Sequence, residues 1–410
     1  MSDTKYIYVS TLNYDAGVYL TQIVDWLKLY RQHGLDFELM QLFSIGYLRQ
    51  GDYCTTQKKL ISEAIGANVS FYYILPPIGK IAQRINNWLF YRRLKKRIGN
   101  NGKVVVFSRA EIGEEIQFLK KQMPGKVYFY YDLRGATVAE KMNNIKVKNT
   151  YSKNEYNTVA RIAYSEYLRQ QVADKIFVVS KALKQYFIDH YNSNADKFVL
   201  YPCLSSNKKF YYDETVREII RKELNYSSDD HVFVYSGGVS NLYHVPDAFL
   251  QMFKKFKEID EHAKLLLLIK KGNDALSKLI ESDVLLKNNV VVIESVPNHD
   301  VVKYLNAADY GFLLRENITL NNVAFPSKFA EYMLCGLPTI ITESLYDCSD
   351  YCIEHHSGYV ISNEMYENIT DTNFSGLFDI SFDRNRIAEE AKDNLSKESQ
   401  IDRIVSEIKQ

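Results

Sequence analysis

Residues Phe325–Thr342 read FPSKFAEYMLCGLPTIIT, and this stretch decides the fold. Pro326 or Ser327 can open a helix, since proline loses nothing at the first helical position and serine can cap. Gly336 and Pro338 stop it, and Thr339–Thr342 reads as the next buried strand. Lys328 and Glu331 are three residues apart, so they share one face of the first turn, near the positive end of the helix dipole. Upstream, YGFLL (310–314) reads as a buried strand leading into this turn. A strand, a loop and a helix N-terminus bearing a cation and a carboxylate suit a nucleotide diphosphate held by an open α/β sheet. An ordinary amphipathic helix with two solvated charges accounts for the same spacing.

Working outward, NAADYGFLL…PSKFAEYMLCGLPTIIT resembles the signature of GT-B glycosyltransferases, in particular the large retaining family 4. The family pattern runs E-(A/Y)-M-(A/L)-(C/S)-G-(L/K/R)-P. Strand, helix, Gly-Leu-Pro stop and following strand all fall in register with it. The resemblance is strong from about 230 to 342 and faint before 170, although DKIFVVSKALKQYF (174–187) and VLYPCLSS (199–206) fit the end of a first lobe and its linker. It implies an α/β fold of the GT-B type, two Rossmann-like parallel-sheet lobes facing across a cleft. It further implies that Glu331 binds the ribose hydroxyls of a nucleotide-sugar donor.

The rest of the chain repeats one grammar. YIYVS (6–10), FELMQLF (37–43), FYYIL (71–75), VVVF (104–107), VYFYY (127–131) and KIFVV (175–179) are strand candidates separated by helical stretches such as Tyr19–His33. HVFVYS (231–236), KLLLLI (264–269), VVVI (290–293), YGFLL and TIIT continue the series. Strands alternating with helices predict parallel sheets covered on both faces. The expected division is an N-terminal acceptor-side lobe over 1–198, a donor-binding lobe over 199–388, and a charged helix over 389–410 that crosses back onto the first lobe.

Composition sets the outer limits. The 410 residues are 46% hydrophobic and 25% charged, ordinary for a protein with a sizeable core. Lysine plus arginine (51) nearly cancels aspartate plus glutamate (50), which argues against a nucleic-acid partner. No run approaches the roughly 18 apolar residues of a membrane span. The N-terminus lacks a signal-peptide core, and five scattered cysteines suit a reducing cytoplasm. Cys348, Cys352, His355 and His356 have the spacing of one face of a short helix, and structural zinc sites pair cysteines more tightly. No metal site is expected.

The chemistry of a sugar diphosphate calls for positive charge, helix N-termini and exposed amides. Ser236–Ser240 (SGGVS) follows a strand and precedes a helix, so Gly237 and Gly238 would let the backbone approach a phosphate, with Ser240 and Ser327 as hydroxyl partners. Here the chain departs from the family. The usual arginine and lysine after this strand are absent, His244 standing in the same loop, and the position of the family's first glutamate is Val323. Arg315, Lys328 and Lys270, at or just after strand ends, are the candidate replacements; a solvated arginine or lysine is the alternative for Arg315, Lys270 and Lys271.

In the first half, NYDAG (13–17) resembles the superfamily's glycine-containing loop near donor and acceptor, which nominates Gly17. YYDLRGATVAE (130–140) resembles the D-x-R-G of bacterial polysaccharide transferases. Asp132 would orient the incoming hydroxyl and Arg134 would bind phosphate, unless the two simply pair in a structural turn. Arg109 and Glu111 are weaker candidates of the same kind. From Ala64 to Ala110 no residue is acidic, while Lys80, Arg84, Arg92, Arg93, Lys95, Lys96, Arg97 and Lys103 interleave with Trp88–Tyr91. Such a helix over 80–103 suits an anionic membrane face, or packs its aromatics inward.

The resemblance therefore implies a cytoplasmic, peripheral-membrane, retaining hexosyltransferase. Its donor substrate would be a nucleotide-diphosphate sugar, with no further cofactor, and its acceptor a lipid-linked glycan in surface polysaccharide synthesis. In the front-face mechanism inferred for the family, the leaving phosphate takes the acceptor proton, so no dedicated base is required. GT-B enzymes need no metal-binding D-x-D, and no convincing one is present. A degenerate, non-catalytic GT-B subunit and a sugar-nucleotide epimerase are the alternatives.

Overall fold

Short apolar runs followed by amphipathic helices build two separate parallel sheets. The computed structural model describes residues 4–66, 68–76, 79–99, 102–238, 246–272 and 274–410. The first sheet has seven strands in the order β3-β2-β1-β4-β5-β6-β7. They are β1 (Thr4–Ser10), β2 (Phe37–Ser44), β3 (Val69–Ile74), β4 (Lys103–Ser108), β5 (Val127–Leu133), β6 (Lys175–Val178) and β7 (Phe198–Leu200). The second has six, in the order β10-β9-β8-β11-β12-β13. These are β8 (His231–Gly237), β9 (Ala263–Ile269), β10 (Val290–Glu294), β11 (Tyr310–Leu313), β12 (Thr339–Thr342) and β13 (Gly358–Ile361). Every pairing is parallel, and order reverses at β1/β4 and at β8/β11, the arrangement of doubly wound sheets.

The cores follow from the strand sequences. In the first unit Phe107 packs 4.7 Å from Phe177 and 6.1 Å from Tyr201 (ring centroids), and Phe37 joins them. In the second, Phe233 stacks on Phe312 at 5.5 Å and meets Phe256 at a tilt, 4.9 Å away, over the leucines of β9. Each such ring removed from water stabilises by about 1.5–3 kcal/mol.

Two boundaries differ from expectation. The first unit comprises 1–138, 151–201 and 401–410, and the second 139–150 and 202–400. The join lies after Tyr201 rather than at 198/199, because Val199 and Leu200 pair with Phe177 and Val178 of β6. The expected 389–410 helix is two helices, Arg384–Asn394 and Lys397–Lys409, interrupted where Ser396 accepts the Ser399 N–H at 3.0 Å. Only the last ten residues join the first unit. There Ile401, Ile404 and Ile408 are buried, Lys175 binds Glu407 at 2.8 Å, and Arg403 donates to the Leu200 carbonyl.

The basic segment forms the helix Lys80–Ile98. Asn86, Phe90, Leu94 and Ile98 are its buried face. Arg97 turns inward to Glu38 and the Tyr72 hydroxyl, and Arg93 lies over the Tyr72 ring. Lys80, Arg84, Arg92, Lys95 and Lys96 are exposed. So are Ile81 (75%), Ile85 (41%) and Trp88 (50%), an apolar stripe at i, i+4 and i+7. The two sequence readings thus divide by face: Phe90 packs inward and Trp88 does not. No described helix is long and apolar enough to cross a membrane.

Candidate functional site

The helix Ser327–Leu334 starts behind Pro326, which holds the extended conformation of an N-cap (φ −71°, ψ 137°). It ends in a Schellman motif. Gly336 N–H donates to the Met333 carbonyl and Leu337 N–H to that of Tyr332, with Gly336 at φ +59°. Arg384 secures this end by donating to the carbonyls of Cys335 and Gly336, both at 3.1 Å. The helix is thereby aimed with its N-terminus at the carboxyl ends of β8 and β11.

Tyr332 sets the approach. Its ring occupies the space a side chain on Gly311 would need, and its hydroxyl accepts the Ser236 N–H at 3.0 Å. Tyr235 donates to the Gly238 carbonyl at 2.6 Å. The end of β8 is therefore tied to the signature helix through the Tyr332 phenol, while the Tyr235 phenol braces the turn that follows β8. Gly237 sits at φ +136°, and a side chain there would overlap Cε and Nζ of Lys328. On the far side, Thr342 accepts the Arg315 N–H at 2.9 Å and Ser344 donates to the Arg315 carbonyl at 2.9 Å.

These contacts gather like charges. Burial pushes Lys328 below its ordinary pKa; Glu331 opposes this, while nearby Arg315 and Lys270 add to it. Burial pushes the Glu331 carboxyl upward, against Lys328, Lys397 and a hydrogen bond from Ser327. Lys328 thus stands beside Glu331, Arg315 and Lys270 at a helix N-terminus, a place where the helix dipole and the nearby cations favour an anion. The arrangement can neutralise a diphosphate and offer one carboxylate to a diol. Of the expected residues, Gly237, Lys270, Arg315, Ser327, Lys328 and Glu331 come together here, with Gly238 alongside. Ser240, like His244, lies outside the described residues. Lys271 is exposed, and Val323 is buried (4%) where the resembling family carries its first glutamate.

Asp132 and Arg134 lie in the first unit, and the geometry there is that of an ion-pair turn. Asp132 is buried (2%) and accepts from Tyr8 at 2.8 Å, from Arg109 at 2.9 and 3.1 Å, and from Arg134. Burial alone would raise its carboxyl, but Arg109, Arg134 and Tyr8 hold it below the usual range. A carboxylate so enclosed has no route to an incoming hydroxyl, which favours the structural alternative for this residue. Arg134 also lies over the Tyr201 ring at 4.3 Å. Gly17 stands in an exposed loop that Tyr14 N–H anchors to Gln57 and Asp15 to Tyr53.

Sequence reasoning missed Tyr332, Tyr235, Thr342, Ser344 and Lys397. One signal was available: Gly311 inside an apolar strand marks a close approach, here by Tyr332. Cys348 and Cys352 are buried, Cys352 contacting Thr339, and His355 pairs with Glu390 at 3.2 Å. No metal-holding group of three His, Cys, Asp or Glu residues occurs among the described residues.

With this geometry in view, residues 216–392 match the family described as glycosyl transferases group 1. No curated protein matches the chain. Among solved structures, the glycosyltransferase of Rickettsia africae ESF-5 has a TM-score of 0.66 at 14% identity, covering 100% of this chain and 99% of that one. HepE of Anabaena, in complex with UDP, has a TM-score of 0.64 at 12% identity over 99% of both chains. The lipopolysaccharide outer core galactosyltransferase WaaB has a TM-score of 0.65 at 11% identity over 98% and 99%. At such identities these proteins share the fold: the chain has the GT-B architecture of two Rossmann-like units, and its second unit carries the match to glycosyl transferases group 1.

Proposed function

We propose that this chain is a retaining, family 4-like glycosyltransferase that moves a hexosyl group from a nucleoside-diphosphate sugar to a lipid-linked glycan. The observation that carries the reading is the cluster of Glu331, Arg315 and Lys270 around Lys328, at a helix N-terminus over the ends of β8 and β11. HepE has been captured with UDP-glucose, which makes uridine nucleotides the first donors to try.

In this reading Glu331 accepts from the ribose hydroxyls while Lys328, Arg315 and Lys270 hold the diphosphate. As the glycosidic bond breaks, negative charge grows on the leaving β-phosphate, and preplaced cations stabilise it without reorganising. The β-phosphate oxygen takes the proton of the acceptor hydroxyl that attacks the same face. The chain's own cations do the electrostatic work, so the proposal needs no metal and no dedicated base. The exposed Ile81, Ile85 and Trp88 among lysines and arginines suit the cytoplasmic face of a membrane, where a lipid-linked acceptor resides.

Val323 motivates one competing reading, a donor-binding subunit without turnover. The test is a melting-temperature panel with UDP, GDP, ADP, CMP and their sugars, followed by product analysis with a membrane extract as acceptor. One nucleotide at 100 times its dissociation constant should stabilise by about 2.7 kcal/mol, and Glu331→Ala should abolish that shift. No shift with any of them overturns the donor site; a shift without product supports the subunit.

A further inference from the structure

The second unit has a cavity of about 290 Å³ at the carboxyl end of the signature helix, where Leu334 lines it. Lys328 and its charged neighbours stand in the first turn of the same helix, roughly 9 Å earlier along the axis, so the cavity is no part of the donor site. One wall is a single face of the helix Arg384–Asn394, where Asn385, Ala388, Glu389 and Lys392 recur at i, i+3, i+4 and i+7. The segment 207–212 forms the other. Phe210 and Leu334, both 2% exposed, make an apolar floor between them.

The segment is pinned through its backbone. Glu398 accepts the Asn207 N–H at 3.1 Å, the Lys209 and Phe210 N–H groups donate to the Ser206 carbonyl, and Asn306 donates to the Tyr211 carbonyl at 3.0 Å. The Tyr212 ring lies against the Arg384 guanidinium at 4.5 Å. The side chains left to face the cavity are polar and unpaired. The amides of Asn207 and Asn385 and the phenol of Tyr211, a residue 43% exposed, have no hydrogen-bond partner among the described residues. A fixed loop presenting open donors and acceptors around an apolar floor is preorganised for a ligand.

The lining also selects the class of ligand. It holds one acid and one base, Glu389 and Lys392, which pair with each other at 3.3 Å, so neither a phosphate nor an amine finds an uncompensated charge. A pyranose ring has an apolar C–H face, which suits Phe210, Leu334 and the Tyr211 ring. Its rim of hydroxyls suits two primary amides, each of which donates and accepts at once. A nucleobase calls instead for a flat slot between rings, and Tyr212 already has Arg384 on its ring.

We propose that this cavity is a non-catalytic sugar site that takes one neutral pyranose unit of a glycan. Its use rests on the glycosyltransferase reading: a glycan held here by a remote unit keeps its reactive end at a raised local concentration.

The test is ligand-observed NMR on the full chain with the methyl glycosides of glucose, galactose, mannose and N-acetylglucosamine, with adenosine as the control. At least one glycoside should bind with a dissociation constant on the order of 1 mM, unchanged by saturating UDP. Tyr211→Ala should weaken it by about tenfold and Asn385→Ala by about three- to tenfold, with little change in melting temperature because both side chains are exposed. Ala388→Trp fills the cavity and should abolish binding, its melting curve showing that the fold persists. Failure of every glycoside to bind, displacement of the sugar by UDP, or unchanged binding by a folded Ala388→Trp would each overturn the proposal. So would adenosine taking the sugar's place with the same sensitivity to Ala388→Trp. Glycoside binding by a chain that shows no melting shift with any nucleotide would instead sink the donor reading and leave this site standing.

Discussion

Lys328 lies against the backbone of Gly237, its Cε and Nζ filling the space where a side chain would begin. Gly237 also holds φ +136°, which an alanine adopts only at a cost of about 1–3 kcal/mol. Gly237→Ala should therefore lower stability by about that amount in urea and displace the lysine. Nucleoside-diphosphate binding, read by calorimetry, should fall with it.

Lys328→Met separates stability from binding. The native ammonium is desolvated beside Arg315 and Lys270, and Glu331, its one opposing neighbour there, keeps Lys397 and Ser327, so an apolar replacement of similar length should melt no lower than the parent. In the proposed donor site the same change would remove a charged hydrogen bond to phosphate, about 1.5–3 kcal/mol, or roughly ten- to a hundredfold in nucleotide affinity. A variant that loses stability and keeps its affinity would contradict this assignment.

Asp132 neutralises two arginines in the first unit. Asp132→Ala leaves them uncompensated in a buried place and should destabilise by about 3–5 kcal/mol. The carboxyl is held below its ordinary value near 3.8. Its contribution is accordingly complete above that value and lost as pH falls through the lowered one, which acid-unfolding curves of parent and variant will resolve.

Glu115 has the opposite sign. Its carboxyl is raised from 4.5 to about 7, chiefly by burial, with Glu114 adding and Gln83 opposing. The unfolded chain ionises first, so stability declines as pH rises from 4.5 to 7, by about 3 kcal/mol in total. Glu115→Gln should flatten that slope and melt higher than the parent at pH 8 but not at pH 4.5.

The exposed stripe of the helix Lys80–Ile98 predicts adhesion to anionic bilayers. Co-sedimentation with phosphatidylglycerol vesicles should exceed that with phosphatidylcholine and weaken with salt. Replacing Ile81 and Trp88 together by glutamate should reduce it by about tenfold or more with little change in melting temperature, since Ile81 is 75% exposed and the half-exposed Trp88 gives up only its contact with Arg92 at 4.7 Å.

The sheets were legible because their central strands are long apolar runs between turn signals. FELMQLF and TIIT are found where expected as β2 and β12. Of the edge strands, β3 and β10 were expected as FYYIL and VVVI, whereas β7 and β13, three and four residues long, were not. The residues that gather around Lys328 were singled out through one motif and the placement of cations after strands. Their supports were hidden, because Tyr332 meets Ser236 across 96 residues and no local pattern encodes such a contact. The Asp132 turn was readable as a pair, but not that Tyr8 and Arg109 would close over it from other strands.

The placement of residues 401–410 has a consequence for biosynthesis. Seven strands of the first sheet have left the ribosome by Leu200, yet the helix bearing Ile401, Ile404 and Ile408 arrives only after the entire second unit has been made. At 5–20 residues per second, that interval is roughly 10–40 s. During it the nascent first half keeps an uncovered apolar groove, a natural footing for chaperones. A half-gene ending at residue 201 should accordingly yield aggregates, and co-expression of the missing peptide should return it to solution.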